Sequence, residues 1–241
     1  MKDTLIIIPA YNEENGINAV LTSLVRFEDR ADVLVVNDGS MDRTTEIVRQ
    51  HQVFLISHPI NLGYGAALQT AFRFANLKGY KYIVQFDADG QHHFDDLHRL
   101  IEEMHMDTDD VVIGSRVLGD PQFALGVRKR IAFLWFNSMI RLLTGMKVTD
   151  STSGLRGLSR RTFSYYATST SFPNDFPDAD TIIHMFYEGF RIREVPIRSR
   201  ARLAGISMHT GLLKNAVYML KVTTSILAVL VYHLIFDRRK V

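Results

Sequence analysis

Tyr82-Ile83-Val84-Gln85-Phe86-Asp87-Ala88-Asp89-Gly90-Gln91-His92 is a short, mostly apolar strand that ends in two carboxylates and a glycine. A strand ending this way brings Asp87 and Asp89 to one sheet edge, where both can converge on a hard divalent cation. Mg²⁺ or Mn²⁺ is expected, with the rest of its shell drawn from water and substrate phosphates, and Gln91 can add a carbonyl oxygen. The same residues also make an ordinary polar turn, so the rest of the chain has to decide between the two. His92 and His93 read as solvated loop residues, because a phosphate-bound hard cation prefers oxygen.

Outward from this stretch the chain alternates. Leu5–Ile8, Val33–Val36, Val53–Ile56 and Val111–Ile113 read as further buried strands. Helical periodicity covers Glu14–Arg26, Asp42–Gln50, Gly65–Leu77 and Phe94–Met104. That alternation predicts an α/β chain with a mostly parallel sheet flanked by helices. Such sheets bind ligands beyond the carboxyl ends of their strands, where the strand order reverses. Polar clusters stand at those ends: Pro9-Ala10-Tyr11-Asn12-Glu13-Glu14 after the first strand and Asn37-Asp38-Gly39-Ser40-Met41-Asp42 after the second. Pro9 and Tyr11 can pack on a flat base, and Asp38 can accept hydrogen bonds from a base N–H. Turn chemistry explains one such cluster well and three of them poorly.

Asn61-Leu62-Gly63-Tyr64-Gly65-Ala66-Ala67 follows the third strand. It lacks the third glycine of a dinucleotide fingerprint and stands after the wrong strand for one. Its glycines are expected to let the backbone pass close to a donor. Arg116, in Gly114-Ser115-Arg116 at the fifth strand's end, can face a diphosphate or an acceptor phosphate with several N–H donors, or cap the sheet edge. Beyond it, helices are expected over Val127–Leu143 and Asp178–Glu188, a strand over Arg191–Ile197, and a long apolar helix over Leu212–Phe236.

Composition narrows the function. The 241 residues suit one large domain, or one domain with an appendage. The absence of cysteine excludes disulfides, a thiolate nucleophile and sulfur-ligated zinc. Basic residues outnumber acidic ones by only 28 to 26. They gather in three separate groups, at Arg128-Lys129-Arg130, at Arg198, Arg200 and Arg202, and at Arg238-Arg239-Lys240, which argues against a nucleic-acid partner. Met1-Lys2-Asp3-Thr4 runs directly into a strand without the flanks of a signal peptide, so a cytoplasmic location is expected.

The set P-A-Y-N-E, N-D-G-S-x-D, N-x-G-x-G-x-A, D-A-D-G-Q and D-S-T-S-G-L-R (Asp150–Arg156) resembles the inverting glycosyltransferases of family 2. Within that family it is similar to the polyprenyl-phosphate, dolichol-phosphate mannose-type branch. The resemblance implies a GT-A nucleotide-diphospho-sugar transferase fold and a metal at Asp87 and Asp89. It implies donor contacts from Pro9, Tyr11, Glu13, Asp38 and the Asp87-Ala88 segment. Asp150 would stand on the sugar side, or simply cap a turn, and Asp89 and Arg116 would act in catalysis. Arg128 and Arg130 would meet an acceptor phosphate, although Leu134 stands where the family often has serine one turn later. Asp178 and Asp180 occupy the region of a general base in relatives with hydroxyl acceptors, and both also suit the N-terminal dipole of the next helix.

The implied activity is metal-dependent, inverting transfer of a sugar, with a UDP-sugar as expected donor, onto a polyprenyl phosphate at the cytoplasmic membrane face. Transfer to a saccharide hydroxyl and a non-catalytic membrane scaffold are the alternatives. A boundary near Gly205 is expected to separate a transferase domain, 1–205, from a C-terminal helical segment, 206–241. The segment's polar stripe, Lys214, Asn215, Tyr218, Lys221 and Ser225, follows helical spacing. Its apolar run is marginal for a bilayer crossing. A helix lying on the membrane surface, or on a small membrane-protein partner, is expected instead. Packing on the domain or on a partner subunit is the alternative, and an oligomer is compatible with this.

Overall fold

A computed structural model describes residues 2–88, 90, 92–120, 127–170, 172–198 and 212–236. Asp89, Gln91, the Arg128 side chain, Arg200, Arg202, Arg238-Arg239-Lys240 and the boundary near Gly205 lie outside what is described.

The strands are β1 (Thr4–Ala10), β2 (Ala31–Asn37), β3 (Phe54–Ser57), β4 (Tyr82–Gln85), β5 (Val111–Ser115), β6 (Arg156–Ser159) and β7 (Ile192–Pro196). The α-helices are α1 (Ile17–Leu24), α2 (Thr44–Val48), α3 (Tyr64–Lys78), α4 (Phe94–His105), α5 (Arg116–Gly119), α6 (Val127–Thr144), α7 (Arg160–Thr168), α8 (Ala179–Tyr187) and α9 (Leu212–Phe236). The sheet runs β3-β2-β1-β4-β6-β5-β7, with β6 antiparallel to both of its neighbours and the remaining pairs parallel. The order reverses between β1 and β4, which places the binding crevice there.

Both sheet faces are covered, because alternate residues of one strand enter different cores. Leu5, Ile7, Leu34, Val36, Ile83 and Val111 pack under α3, α6, α7, α8 and α9. Ile6, Ile8, Val35, Val84 and Val112 pack under α1 and α4. Each such side chain contributes about 1.5–3 kcal/mol on burial, so the strand ends project from a rigid base. The antiparallel β6 matters most for function. Its amino end lies at the edge where the parallel strands finish, so the Asp150–Leu155 turn joins the same crevice.

Candidate active site

The loops after β1 and β2 are tied together. Asn12, at φ 55°, receives the Met41 N–H on its Oδ1 and donates its own N–H to Ser40. Asp42 accepts from the backbone N–H groups of Thr44 and Glu14. Burial would raise its pKa, but these bonds and the Thr44 hydroxyl hold it below the usual carboxylate range. Tyr11 stands at the end of β1 with nearly half its surface open (45%), free to lie against a planar ring, while Pro9 is buried in the strand. Glu13 is half-buried, and its N–H is bound by Thr44 Oγ1 at 2.8 Å.

Asp38 is buried and already engaged. One oxygen meets His58 Nδ1 at 2.7 Å and the Leu62 N–H at 2.9 Å; the other accepts the Gly63 N–H at 2.9 Å. The residue therefore fixes the 62–63 turn, and a base N–H would have to share its oxygens. Gly63 and Gly65 do not make room for a donor, contrary to expectation. A Cβ on Gly65 would lie 1.9 Å from the Pro173 carbonyl oxygen, and one on Gly63 2.5 Å from that of Asn174. The backbone that approaches these glycines is the 173–174 segment of the chain itself.

Asp87 occupies the centre of the crevice. Tyr64 donates its hydroxyl hydrogen to Oδ1 at 2.9 Å, and Gln85 Nε2 donates to the Tyr64 oxygen at 2.6 Å. His92 Nε2 lies 3.5 Å from Oδ2. His92 is buried, with its ring 5.8 Å from that of Phe86, which corrects the expectation of a solvated histidine. Packing on Phe86 draws it inward beside the carboxylate; His93 is half-buried. Burial works to raise the Asp87 pKa, but the bonds from His92 and Tyr64 and the charge of Arg116 outweigh it and hold the group ionised. Burial and the Asp87 charge keep the Tyr64 proton on its oxygen. The Ala88 methyl is buried in the core, so only its backbone can face a ligand. Gly154 closes the wall: a Cβ there would stand 2.0 Å from Asp87 Oδ2.

Asp150 holds Arg116. It is fully buried and receives Nε at 2.7 Å, Nη2 at 2.8 Å and the Arg116 backbone N–H at 3.0 Å, while Thr152 accepts from Nη2 at 3.0 Å. Burial opposes the charge, and the bonds and charge of Asp150 more than restore it, raising the arginine's pKa. Asp87 and Asp178 are close enough to add to that stabilisation. Sequence reasoning missed two supports of this clamp. Glu194 of β7 accepts the backbone N–H groups of Thr149 and Asp150. The only signal for it was a carboxylate placed within a strand. Arg156, buried at the start of β6, donates to the carbonyls of Ser151, Ser153 and Pro177 and so pins the whole turn. Arg130 is exposed, two turns before Asn137, whose amide donates to the Thr149 carbonyl.

Of the polar stripe of α9, whose Lys214 and Asn215 side chains lie outside what is described, Tyr218 and Ser225 turn inward and Lys221 stays at the surface. Tyr218 donates to Asp178 at 2.6 Å, Lys221 to Asp175 at 2.5 Å, and Ser225 to Asp180. Asp178 also lies 3.9 Å from Arg156, at the crevice, whereas Asp180 is turned beneath α9 and is 2% exposed. Burial pushes the Asp180 pKa up to about 6, against the Ser225 hydrogen bond. The folded state then holds a proton that the unfolded chain has released, so stability falls as pH rises from about 4 to 6. Asp180→Asn is expected to remove this slope. Its stability gain over the parent, read by denaturant melts, should grow across that window to about 3 kcal/mol at most and then level off.

A doubly covered sheet with a strand-order switch, paired loops after β1 and β2, an ionised carboxylate after β4 and an arginine clamp define a GT-A sugar-nucleotide transferase. The chain belongs to glycosyl transferase family 2, whose model matches residues 5–166. It is 32% identical to the UDP-N-acetylglucosamine–dolichyl-phosphate N-acetylglucosaminyltransferase of Methanococcus voltae, over 83% of this chain and 87% of that one. It is also 32% identical to the undecaprenyl-phosphate mannosyltransferase of Micrococcus luteus, over 86% and 87%. Glucosyl-3-phosphoglycerate synthase from Mycobacterium tuberculosis, solved with UDP, shares the fold at a TM-score of 0.72 and 20% identity, over 95% of this chain and 80% of that one. The same enzyme has been solved with Mn²⁺, UDP-glucose and phosphoglyceric acid, with a TM-score of 0.72 at 19% identity over 95% and 79%. The protein is a glycosyltransferase.

Proposed function

We propose that this glycosyltransferase moves a sugar from a nucleoside diphosphate, with UDP as the preferred carrier, to a polyprenyl phosphate at the cytoplasmic membrane surface. The observation that carries the reading is the inverted C-terminal helix. By bonding Tyr218, Lys221 and Ser225 to Asp178, Asp175 and Asp180, α9 leaves Leu220, Leu227, Val231 and Leu234 outward. Ile131 and Trp135 of α6 are also exposed, and Trp135 bonds Thr223 of α9. Ala216–Ile235 is long and apolar enough to cross a bilayer, but its inward face is committed to the domain, which favours lying on the surface. An apolar face built beside the site loops suits an acceptor carried on a lipid. The names of the M. voltae and M. luteus relatives point to the same acceptor class.

An ionised phosphate oxygen of the acceptor attacks the anomeric carbon, whose bond to the diphosphate oxygen breaks with inversion. The phosphate is already ionised near neutral pH, so no base has to take a proton from it. Arg116, held rigid by Asp150, offers fixed positive charge to the phosphates, and exposed Arg130 can meet the acceptor headgroup. Tyr11 supports the base. Asp87, ionised and aimed by Tyr64 and Gln85, suits a hard cation together with Asp89 and Gln91. Mg²⁺ or Mn²⁺ held there supplies charge against the departing diphosphate.

Mass spectrometry of products from a short polyprenyl phosphate, offered with UDP- and GDP-sugars in turn, tests this reading. The lipid phosphate should gain one sugar. Transfer only to a saccharide hydroxyl, abolished by Asp178→Asn, would replace the reading with a base-catalysed one. The membrane contact has its own check. Leu220→Glu with Leu227→Glu should stop the chain floating with anionic phospholipid vesicles. It should also raise KM for the lipid acceptor at least about tenfold, with donor binding unchanged.

A further inference from the structure

Away from the crevice, at the carboxyl ends of α8 and α9, His184, Glu188 and His233 bring one ligand atom each within 4.8 Å of one another. His184 and Glu188 share one face of the end of α8 at the i, i+4 spacing, and His233 reaches across from the last turns of α9. Glu188 Oε1 lies 4.0 Å from His184 Nε2 and 3.9 Å from His233 Nε2. His184 is 4% exposed, and its buried Nε2 has no hydrogen-bond partner among the described residues. Its other ring nitrogen, Nδ1, is 2.9 Å from the Tyr166 hydroxyl. With Nδ1–H donating to that oxygen, the Nε2 lone pair is directed at Glu188 and His233, the arrangement found behind metal-bound histidines. Tyr165 hydrogen-bonds Glu188, and the rings of Tyr187 and Tyr232 lie against His233. Burial lowers the His184 pKa, more than the Glu188 charge restores, and a neutral imidazole is the ligating form.

We propose that His184, Glu188 and His233 form a second cation site, separate from the Asp87 motif, that takes a borderline divalent ion of the Zn²⁺ type and fastens the end of α9 to α8. Two imidazoles and one carboxylate suit Zn²⁺, with water as a fourth ligand, whereas the oxygen-rich Asp87 motif suits Mg²⁺ or Mn²⁺. Ligands about 2.0–2.2 Å from a tetrahedral ion stand about 3.3 Å apart. The two glutamate–histidine pairs, at 4.0 and 3.9 Å, have to close by about 0.6–0.7 Å. The two imidazole nitrogens, within 4.8 Å of each other, have to close by up to about 1.5 Å, and side-chain rotation supplies both movements. The partly exposed Glu188 leaves a path for the ion from solvent.

The test is a Zn²⁺ titration of the full chain, stripped with chelator, followed by calorimetry and thermal melts, with Co²⁺ absorption as a reporter of tetrahedral geometry. One equivalent should bind more tightly than about 1 µM and raise the melting temperature, in the parent and in Asp87→Asn alike. Glu188→Gln and His233→Gln should each weaken binding at least about tenfold and lose the Co²⁺ bands. Glu188 is near the surface, so its variant keeps the test valid if His233→Gln fails to fold. No binding by the parent at that concentration would overturn the proposal. So would binding that survives both variants but is lost in Asp87→Asn.

Discussion

Gly154→Ala is expected to lower turnover on the order of 10³-fold while changing the melting temperature little. The new methyl would stand 2.0 Å from Asp87 Oδ2, so either the turn or the carboxylate has to move. The turn cannot move easily. Arg156 binds the Ser151 and Ser153 carbonyls from a buried position, and the Leu155 carbonyl accepts the Gly114 N–H at 2.9 Å. The Asp87 side chain yields instead and leaves its bond to Tyr64. A carboxylate half an ångström or more out of place would no longer hold a divalent cation against the departing diphosphate. The measurement is kcat beside a denaturant melt. Lost stability with a proportionate loss of activity would show that the turn, and not the carboxylate, had given way.

The second large effect is expected at Arg116. Arg116→Lys keeps the charge but loses the fork that Asp150 holds at 2.7 and 2.8 Å. kcat/KM should fall by about 10²–10³. The fully buried Asp150 would be left with fewer partners, costing about 1–3 kcal/mol of stability. Because Asp150 acts through Arg116, Asp150→Asn added to Arg116→Lys should lower kcat/KM hardly further. A double-mutant cycle reads this directly, and additive losses would mean that Asp150 touches the substrate on its own account.

The central sheet was legible because its strands are continuous apolar runs and its helices keep their period. Thr4–Ala10, Ala31–Asn37 and Tyr64–Lys78 fall within a few residues of the sequence reading. The strand Arg156–Ser159 was not legible, since Arg-Gly-Leu-Ser carries neither an apolar run nor β-branched residues and is held by pairing to β4 and β5. The helix Arg160–Thr168 was missed although Phe163, Tyr166 and Ala167 give it a buried face. Among the described candidates, Asp38, Asp87 and Arg116 follow β2, β4 and β5, but their partners did not follow from the spacing. Asp150 bonds a residue 34 positions away, and Asp38 spends its oxygens on a turn 24 and 25 positions on. The polar stripe of α9 was visible as a stripe. The inward direction of Tyr218 and Ser225 was not, because Asp178 and Asp180, at the start of α8 and some 40 residues away, decide it.

The most direct test of the account is nucleoside diphosphate release from UDP- and GDP-sugars by the full chain, with and without a short polyprenyl phosphate, with Asp87→Ala as the blank and a chelator arm. Release that needs the lipid phosphate, is abolished by chelator and is absent from Asp87→Ala is the predicted result. Release that is indifferent to the lipid phosphate, or that persists in Asp87→Ala, would contradict it.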